Sequence, residues 1–296
     1  MIMTGPLLPP KLPPNTPLRS RILIGSAIGF LLLFAPVALG GYQPGGQQPY
    51  GGGGSTTGRR YSPPPPSGTS GTVRGSTGTR GTCDSTSETT ETTLTILAPV
   101  SHTGRTNSTR PTFAWFLSKA KSQPVEFSLY EYVTDSKVKR IYKTNPPLPA
   151  SEGIMQFTLP ETEPELVAGR RYLWQVALLC NLNHPANDLV AAATIDVVAA
   201  PPNLKTALSA TTDRLQKAQL YAASSFWYDA LAETLDNPKA QAFRLSLLRD
   251  LEQLETPKDA KATNEQSNQL KQVIAIEARS SFSIEQRPNP GGTGTR

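Results

Sequence analysis

From Leu94 to Val198 the chain alternates apolar and polar residues in short runs separated by turn-forming clusters. Runs of this kind, rich in β-branched and aromatic residues, predict strands near Leu94–Leu97, Thr112–Phe116, Val125–Tyr132, Lys139–Lys143, Met155–Leu159, Tyr172–Cys180 and Val190–Val198. Phe127, Leu129 and Glu131 alternate with Ser128, Tyr130 and Tyr132, and Tyr172, Trp174, Val176 and Leu178 alternate with Leu173, Gln175 and Ala177. One face of each run is therefore expected in a core, and seven strands in about 105 residues fit an all-β sandwich.

Beyond Pro201-Pro202 the period changes from two to about 3.6. Leu204, Leu208, Thr211, Leu215, Ala218 and Ala222 share one helical face, and a second helix is expected from about Phe226 to Leu235. Asn237 as N-cap and Pro238 at the first helical position announce a third, with Ala240, Phe243, Leu247, Leu251 and Leu254 on one face. A fourth starts at Thr263, where Thr263 and Gln266 read as a capping box, and carries Leu270, Val273, Ile274 and Ala278.

Particular segments resemble known modules. Leu97-Ala98-Pro99, Pro111-Thr112-Phe113-Ala114-Trp115 and the six-residue spacing from Leu166 to Tyr172 resemble fibronectin type III and related immunoglobulin-like domains. The resemblance implies a corner in which Tyr172 hydrogen-bonds back to the backbone, although Ala168 and Arg170 replace the usual Pro and Thr, and Gly169 implies a turn of different shape. Ala218, Tyr221, Trp227 and Ala230 resemble a tetratricopeptide motif, with Ser225 where Gly is usual and Pro238 about four residues early. The fold expected is β + α: an immunoglobulin/fibronectin type III-like β-sandwich over residues 93–200, then a small helical, tetratricopeptide-like bundle over 201–280.

The N-terminal third is different in kind. Ile22–Phe34 is an uncharged apolar run preceded by Arg19 and Arg21 and followed by small residues, the order of a secretory signal peptide, with Ala38 and Gly40 suited to cleavage before Gly41. The alternative is an uncleaved anchor, since the uncharged stretch extends to about 20 residues. Signal peptide is thus expected over 1–40 and a disordered spacer over 41–92, where Gly, Ser, Thr, Pro and Gln dominate and GGGG and PPPP runs occur. The proline run at Pro63–Pro66 reads as a stiff spacer or, alternatively, as a ligand for an aromatic groove. Residues 281–296 are expected to form a disordered tail.

Cysteine usage agrees with export. Cys83 and Cys180 are the two cysteines of the chain, and in an exported protein they most simply pair; the alternative is two unrelated thiols. Closing a loop of about 100 residues contributes roughly 4 to 5 kcal/mol in the chain-entropy model.

Charge and motif content narrow the chemistry. The 296 residues carry a formal net charge of +6, to which Lys11, Arg19 and Arg21 contribute, so a chain cut at Gly41 keeps only +3. No concentrated basic face for nucleic acid is apparent. There is no phosphate loop, dinucleotide fingerprint or metal motif, so no cofactor or metal is expected. His102 and His184 are the two histidines; His184 beside Asp188, with Ser101 or Ser108, can be drawn as a triad, but no G-x-S-x-G elbow is present, and both read as loop histidines. Glu161, Glu163 and Glu165 suggest paired carboxylates or calcium, yet their alternation with Thr162 and Pro164 reads as a solvated edge. No catalytic residue is assigned.

The order of these features, with the segments LTILAP, PTFAWFL, EFSLYEY, GIMQFTLPETEPELVAGRRYLWQVALLCN and AQLYAASSFWYDALAETL, closely resembles the cyanobacterial family known as domain of unknown function 928. The resemblance implies an envelope or secreted location and brings no activity with it. The function expected is a non-enzymatic, exported interaction or structural protein of the cell envelope, in which the sandwich is a platform and the helices hold a protein or envelope polymer. The alternative is a carbohydrate-recognising accessory module or weak glycan-active enzyme, which rests on fold analogy. Any membrane contact is expected through the leader alone. Phe226, Trp227 and Tyr228 are consecutive and cannot all face one helical core, so at least one is expected outside the bundle's centre, packed on the sandwich or lining a groove as a partner anchor.

Overall fold

The computed structural model describes residues 60–65, 83, 92–120, 123–181, 183–257 and 265–285, with side chains through residue 279. Within them the protein is a β + α fold. The leader at Ile22–Phe34 and residues 286–296 lie outside the described residues, whereas residues 281–285, expected to begin the disordered tail, continue the last helix. No helix among the described residues is long and apolar enough to cross a membrane.

Two sheets form the β part. The smaller takes β1 (Leu94–Ile96), β3 (Thr112–Leu117) and β7 (Gly153–Thr158), ordered β1-β3-β7 and antiparallel. The larger takes β2 (Gly104–Thr106), β4 (Pro124–Thr134), β5 (Lys137–Lys143), β8 (Arg171–Leu178) and β9 (Leu189–Val197), ordered β2-β9-β8-β4-β5, with the two-residue β6 (Leu148–Pro149) beside β4. Its neighbours are antiparallel except β2, which runs parallel to β9. The alternation in β4 and β8 places Phe127, Leu129, Trp174 and Val176 in the core, and in β9 every second residue from Leu189 to Val197 is buried. Phe113 of β3 meets Phe127 and Trp174 at ring separations of 4.9 and 5.0 Å, joining the two sheets.

The helices are α1 (Pro202–Ser209), α2 (Arg214–Ala223), α3 (Trp227–Ala232), α4 (Gln241–Glu255) and α5 (Glu265–Glu285). The long face expected from Leu204 to Ala222 is interrupted. Asp213 caps α2 by accepting hydrogen bonds from the N–H groups of Leu215 and Gln216, so the chain restarts a helix there. Ser225, between α2 and α3, has φ of 70°, the left-handed region that explains why glycine is favoured at this turn. Asn237 makes no side-chain capping bond; Pro238–Ala240 form a short 3-10 turn before α4. Thr263 lies outside the described residues, and Gln266 donates its side-chain amide to the Ile96 carbonyl, tying α5 to β1.

Helices and sheets share one continuous apolar core. α3 packs on β2 and β3, α5 on β1, and Trp227, Tyr228, Ala230 and Leu231 are buried in the same cluster as Phe113 and Trp174. Gly104 records how close this approach is: a Cβ there would lie 2.7 Å from the Tyr228 ring.

The stretch expected to be a disordered spacer needs a correction at one place. Arg60–Pro65 lie against the folded part, and Tyr61 is fully buried, with its ring edge-on to Trp227 at 5.0 Å. The reason is a set of partners remote in sequence: Arg60 and Tyr61 donate their N–H groups to Asp250 Oδ2, and Ser62 donates its own to the Ala222 carbonyl.

Candidate interaction site

The Tyr172 corner forms one end of the site. Tyr172 is buried beside Leu166, and its hydroxyl accepts the Val167 N–H at 2.9 Å. Gly169, at φ of 83°, makes the turn that returns the chain to β8. This fixes the loop Glu161–Arg170 across a cleft from β5. Arg110 braces the loop from beneath by donating to the carbonyls of Pro160, Glu161 and Glu163, and pairs with Glu165 at 3.6 Å.

Between that loop and β5 lies a cleft of about 450 Å³. Leu129, Leu159, Leu166 and Tyr172 form an apolar floor; Lys139, Arg140 and Ile141 stand on one side, and Glu163, Glu165 and Val167 on the other. β5 is an edge strand, paired only with β4 among the described residues. Its register shifts near Tyr130 and again near Thr134, as bulged edges do, and the hairpin leaves Val133, Val138 and Ile141 exposed with Val167 nearby on the loop. Lys143 pairs with Glu126 at 2.6 Å, and Arg170 pairs with Glu131, whereas Lys137, Lys139 and Arg140 form no ion pair among the described residues. The result is a basic, partly apolar strand edge facing an acidic loop.

The three aromatics considered for partner binding take no part in this surface. Phe226 is buried against Ala200 and Leu204; Trp227 donates its indole N–H to the Leu97 carbonyl at 2.9 Å; the Tyr228 hydroxyl accepts the Trp174 indole N–H at 2.8 Å and donates to the Thr194 carbonyl at 3.1 Å. All three are buried and none belongs to the β5 cleft, although Tyr228 also borders a pocket with Thr106, Asn107, Asp229 and Glu233, and Trp227 carries the Tyr61 ring. The reason is geometric: side chains about 100° apart on a short helix reach three surfaces, and here the sheets, β1's exit and α1 supply all three.

Cys83 and Cys180 are joined by a disulfide, with Cα atoms 5.0 Å apart and 97 positions of separation in sequence. Neither histidine belongs to a triad. His184 heads a 3-10 turn, and Asp188 accepts the Cys180 N–H. His102 contacts Ser101 Oγ through Nδ1 and Tyr61 OH through Nε2, each at 3.2 Å, while Glu255 accepts hydrogen bonds from Ser101 Oγ and from the N–H groups of Val100 and Ser101. The acid thus binds the serine and not the imidazole, whose partners are Ser101 and Tyr61, which is not the acid–imidazole–serine order that activates a nucleophile. Burial lowers His102 to about 4 and raises Glu255, whose hydrogen bonds from Ser101 and Val100 oppose the rise.

Asp229 is the buried acid that the sequence does not announce. It accepts from Thr106 Oγ1 and the Asn107 N–H, both at 3.1 Å, and burial pushes it up to about 7 against these bonds. Its neighbour Trp227-Tyr228 is readable as a packed helix start, but nothing in sequence pairs Asp229 with β2. Among the described residues no group of three or more His, Cys, Asp or Glu side chains is placed to hold a metal ion, and Glu161, Glu163 and Glu165 stand along the loop rim.

The sequence model of the family described as Domain of Unknown Function (DUF928) matches residues 75–270, about two thirds of the chain. The chain belongs to this family. No curated protein matches it. The DUF928 match spans Cys83, every strand and α1 to α4, so the cleft and the disulfide both lie inside the family region.

Proposed function

We propose that this DUF928 protein is an exported cell-envelope interaction protein whose binding surface is the β5 edge and the cleft beside it, and that it acts without catalysis. The observation that carries the reading is β5 itself: an unpaired strand edge bearing Lys137, Lys139 and Arg140 together with exposed Val138 and Ile141. Such an edge takes an extended segment by strand addition, in which backbone hydrogen bonds give affinity and alternate side chains give specificity. The free cations select acidic side chains on the incoming segment.

Export is supported by the Cys83–Cys180 bridge, which persists only in an oxidising compartment, together with the leader-like order around Ile22–Phe34. Because Tyr61 and Cys83 are tied to the folded part, the spacer role falls to the Gly/Gln/Pro-rich sequence before Arg60. The order β1-β3-β7 against β2-β9-β8-β4-β5 and the Tyr172 corner support an immunoglobulin/fibronectin type III-like sandwich, and buried Ala218, Trp227 and Ala230 support a tetratricopeptide-like α2–α3 pair. The carbohydrate alternative lacks a platform: the large apolar side chains exposed among the described residues are valines and isoleucines, not aromatics.

Titration with a peptide of alternating Glu and Val tests the reading. Amide shifts concentrated on residues 137–143, weakening as salt rises and lost in a Lys139→Glu/Arg140→Glu variant, are expected. Shifts confined elsewhere, or unchanged by the double variant, would contradict it.

A further inference from the structure

Arg60–Pro65 occupy a groove made by α2, α3, α4 and the segment joining β1 to β2. Among the described residues, its hydrogen bonds come from Arg60, Tyr61 and Ser62. The N–H groups of Arg60 and Tyr61 meet Asp250 Oδ2 at 2.5 and 2.7 Å, the Ser62 N–H meets the Ala222 carbonyl at 3.2 Å, and the Tyr61 hydroxyl meets His102 Nε2 at 3.2 Å. The Tyr61 ring fills a closed pocket against Trp227, and the Arg60 guanidinium stands 5.9 Å above the Phe243 ring. The groove uses a backbone donor at each of residues 60, 61 and 62 and none after them, where Pro63 begins a run that has no N–H to offer. That match of register and composition is the mark of a peptide-recognition groove with its ligand seated, a short extended segment stiffened by proline.

We propose that this groove also receives the Arg60-Tyr61-Ser62-Pro63 segment of a second copy of the chain, so that crowded copies pair by exchanging segments. Nothing in the contacts depends on which copy supplies the segment, so every bond lost within a chain is remade between chains. Of the seventeen residues 66–82, thirteen are Gly, Ser or Thr. From Pro65 to Cys83 such a chain reaches up to about 60 Å. Its far end is fixed by the bond to Cys180, so departure of the segment leaves the rest of the core connected. Concentration then decides the outcome: a segment joined to its groove through the same chain is supplied at an effective concentration on the order of millimolar. Dilute chains therefore keep their own segment, and chains gathered on a surface exchange. The groove shares no residue with the β5 cleft, and pairing does not rest on that reading.

Two full-length variants test it. Tyr61→Ala leaves a groove without its ligand, and Asp250→Ala leaves a ligand without its principal anchor. Each is first checked for the intact disulfide and a cooperative thermal transition; should Tyr61→Ala not fold, Ser62→Pro, which removes the N–H given to Ala222, takes its place. At about tens of micromolar, well below the effective concentration of a tether, sedimentation is expected to show wild type and each variant alone as monomers and the equimolar mixture as a 1:1 dimer. Excess synthetic peptide of residues 57–66 is expected to dissolve that dimer. A mixture that stays monomeric overturns the proposal, and so does a dimer that the peptide leaves intact.

Discussion

The seam between helices and sheets and the edge at β5 treat polar groups in opposite ways. In the seam, the Trp227 indole is bound by Leu97, the Trp174 indole by Tyr228, Tyr228 in turn by Thr194, and Asp229 by Thr106 and Asn107. At the edge, Lys137, Lys139 and Arg140 stand in solvent beside exposed valine and isoleucine. A buried polar group without a partner costs about 1 to 3 kcal/mol, so these pairings stabilise the seam. An exposed charge carries no such demand. The chemistry left over for another molecule therefore sits on the edge, and the aromatic run in α3 is spent on holding the molecule together.

Breaking the seam gives the largest effect. Trp227→Ala removes a fully buried ring and the bond to Leu97, and denaturant unfolding is expected to show a loss of about 3 to 5 kcal/mol. Gly104→Ala leaves every polar bond in place but drives a methyl group toward the Tyr228 ring, which is clamped at its hydroxyl; a loss of up to about 3 kcal/mol is expected from the same measurement.

Asp229 sharpens the comparison through pH. Its folded value, about 7, lies above the ordinary 3.8, so the folded state holds the proton more tightly and the stability this supplies disappears as pH rises toward and through 7. Asp229→Asn lacks this dependence. Its stability relative to wild type is expected to improve by about 2 kcal/mol between pH 5 and pH 7, measured as the difference between the two unfolding free energies. His102, lowered to about 4 by burial, works the other way: the unfolded chain binds the proton first, so stability falls as pH drops from about 6.5 toward 4. Comparing the two chains at each pH cancels that contribution.

Smaller effects belong to the edge. Tyr172→Phe keeps the ring packed and removes the bond from Val167, costing about 1 kcal/mol by thermal or chemical unfolding. Lys139→Glu/Arg140→Glu, in exposed positions of β5, is expected to change stability by no more than about 0.5 kcal/mol.

Much of the β part is legible in sequence because its information is local. Phe127, Leu129, Trp174 and Val176 declare a buried face by alternation alone, and their strands appear within one to three residues of the expected ends. β2 is not legible: Gly104-Arg105-Thr106 has no apolar pattern, and its place is set by parallel pairing with β9 and by the bond from Thr106 to Asp229. The break between α1 and α2 escapes for a related reason, since steps of three and four run across it while Asp213 starts a new helix. Tyr61 is hidden most deeply. It is the one aromatic between Gly51 and Thr92, directly before a proline run, a signal easily passed over because its anchor, Asp250, is 189 positions away. The cleft at β5 depends on loop placement, which the Leu166 and Tyr172 spacing hints at and only the fold completes.

The account stands or falls on whether β5 meets another molecule. A photo-crosslinking side chain at Ile141, on the β5 edge, is compared with one at Ile276, also exposed but on α5, in cells that make the protein. The expected result is a discrete adduct from position 141 that disappears with Lys139→Glu/Arg140→Glu, and no matching adduct from position 276. The same adduct from both positions, or one at 141 that survives the charge reversal, would contradict it.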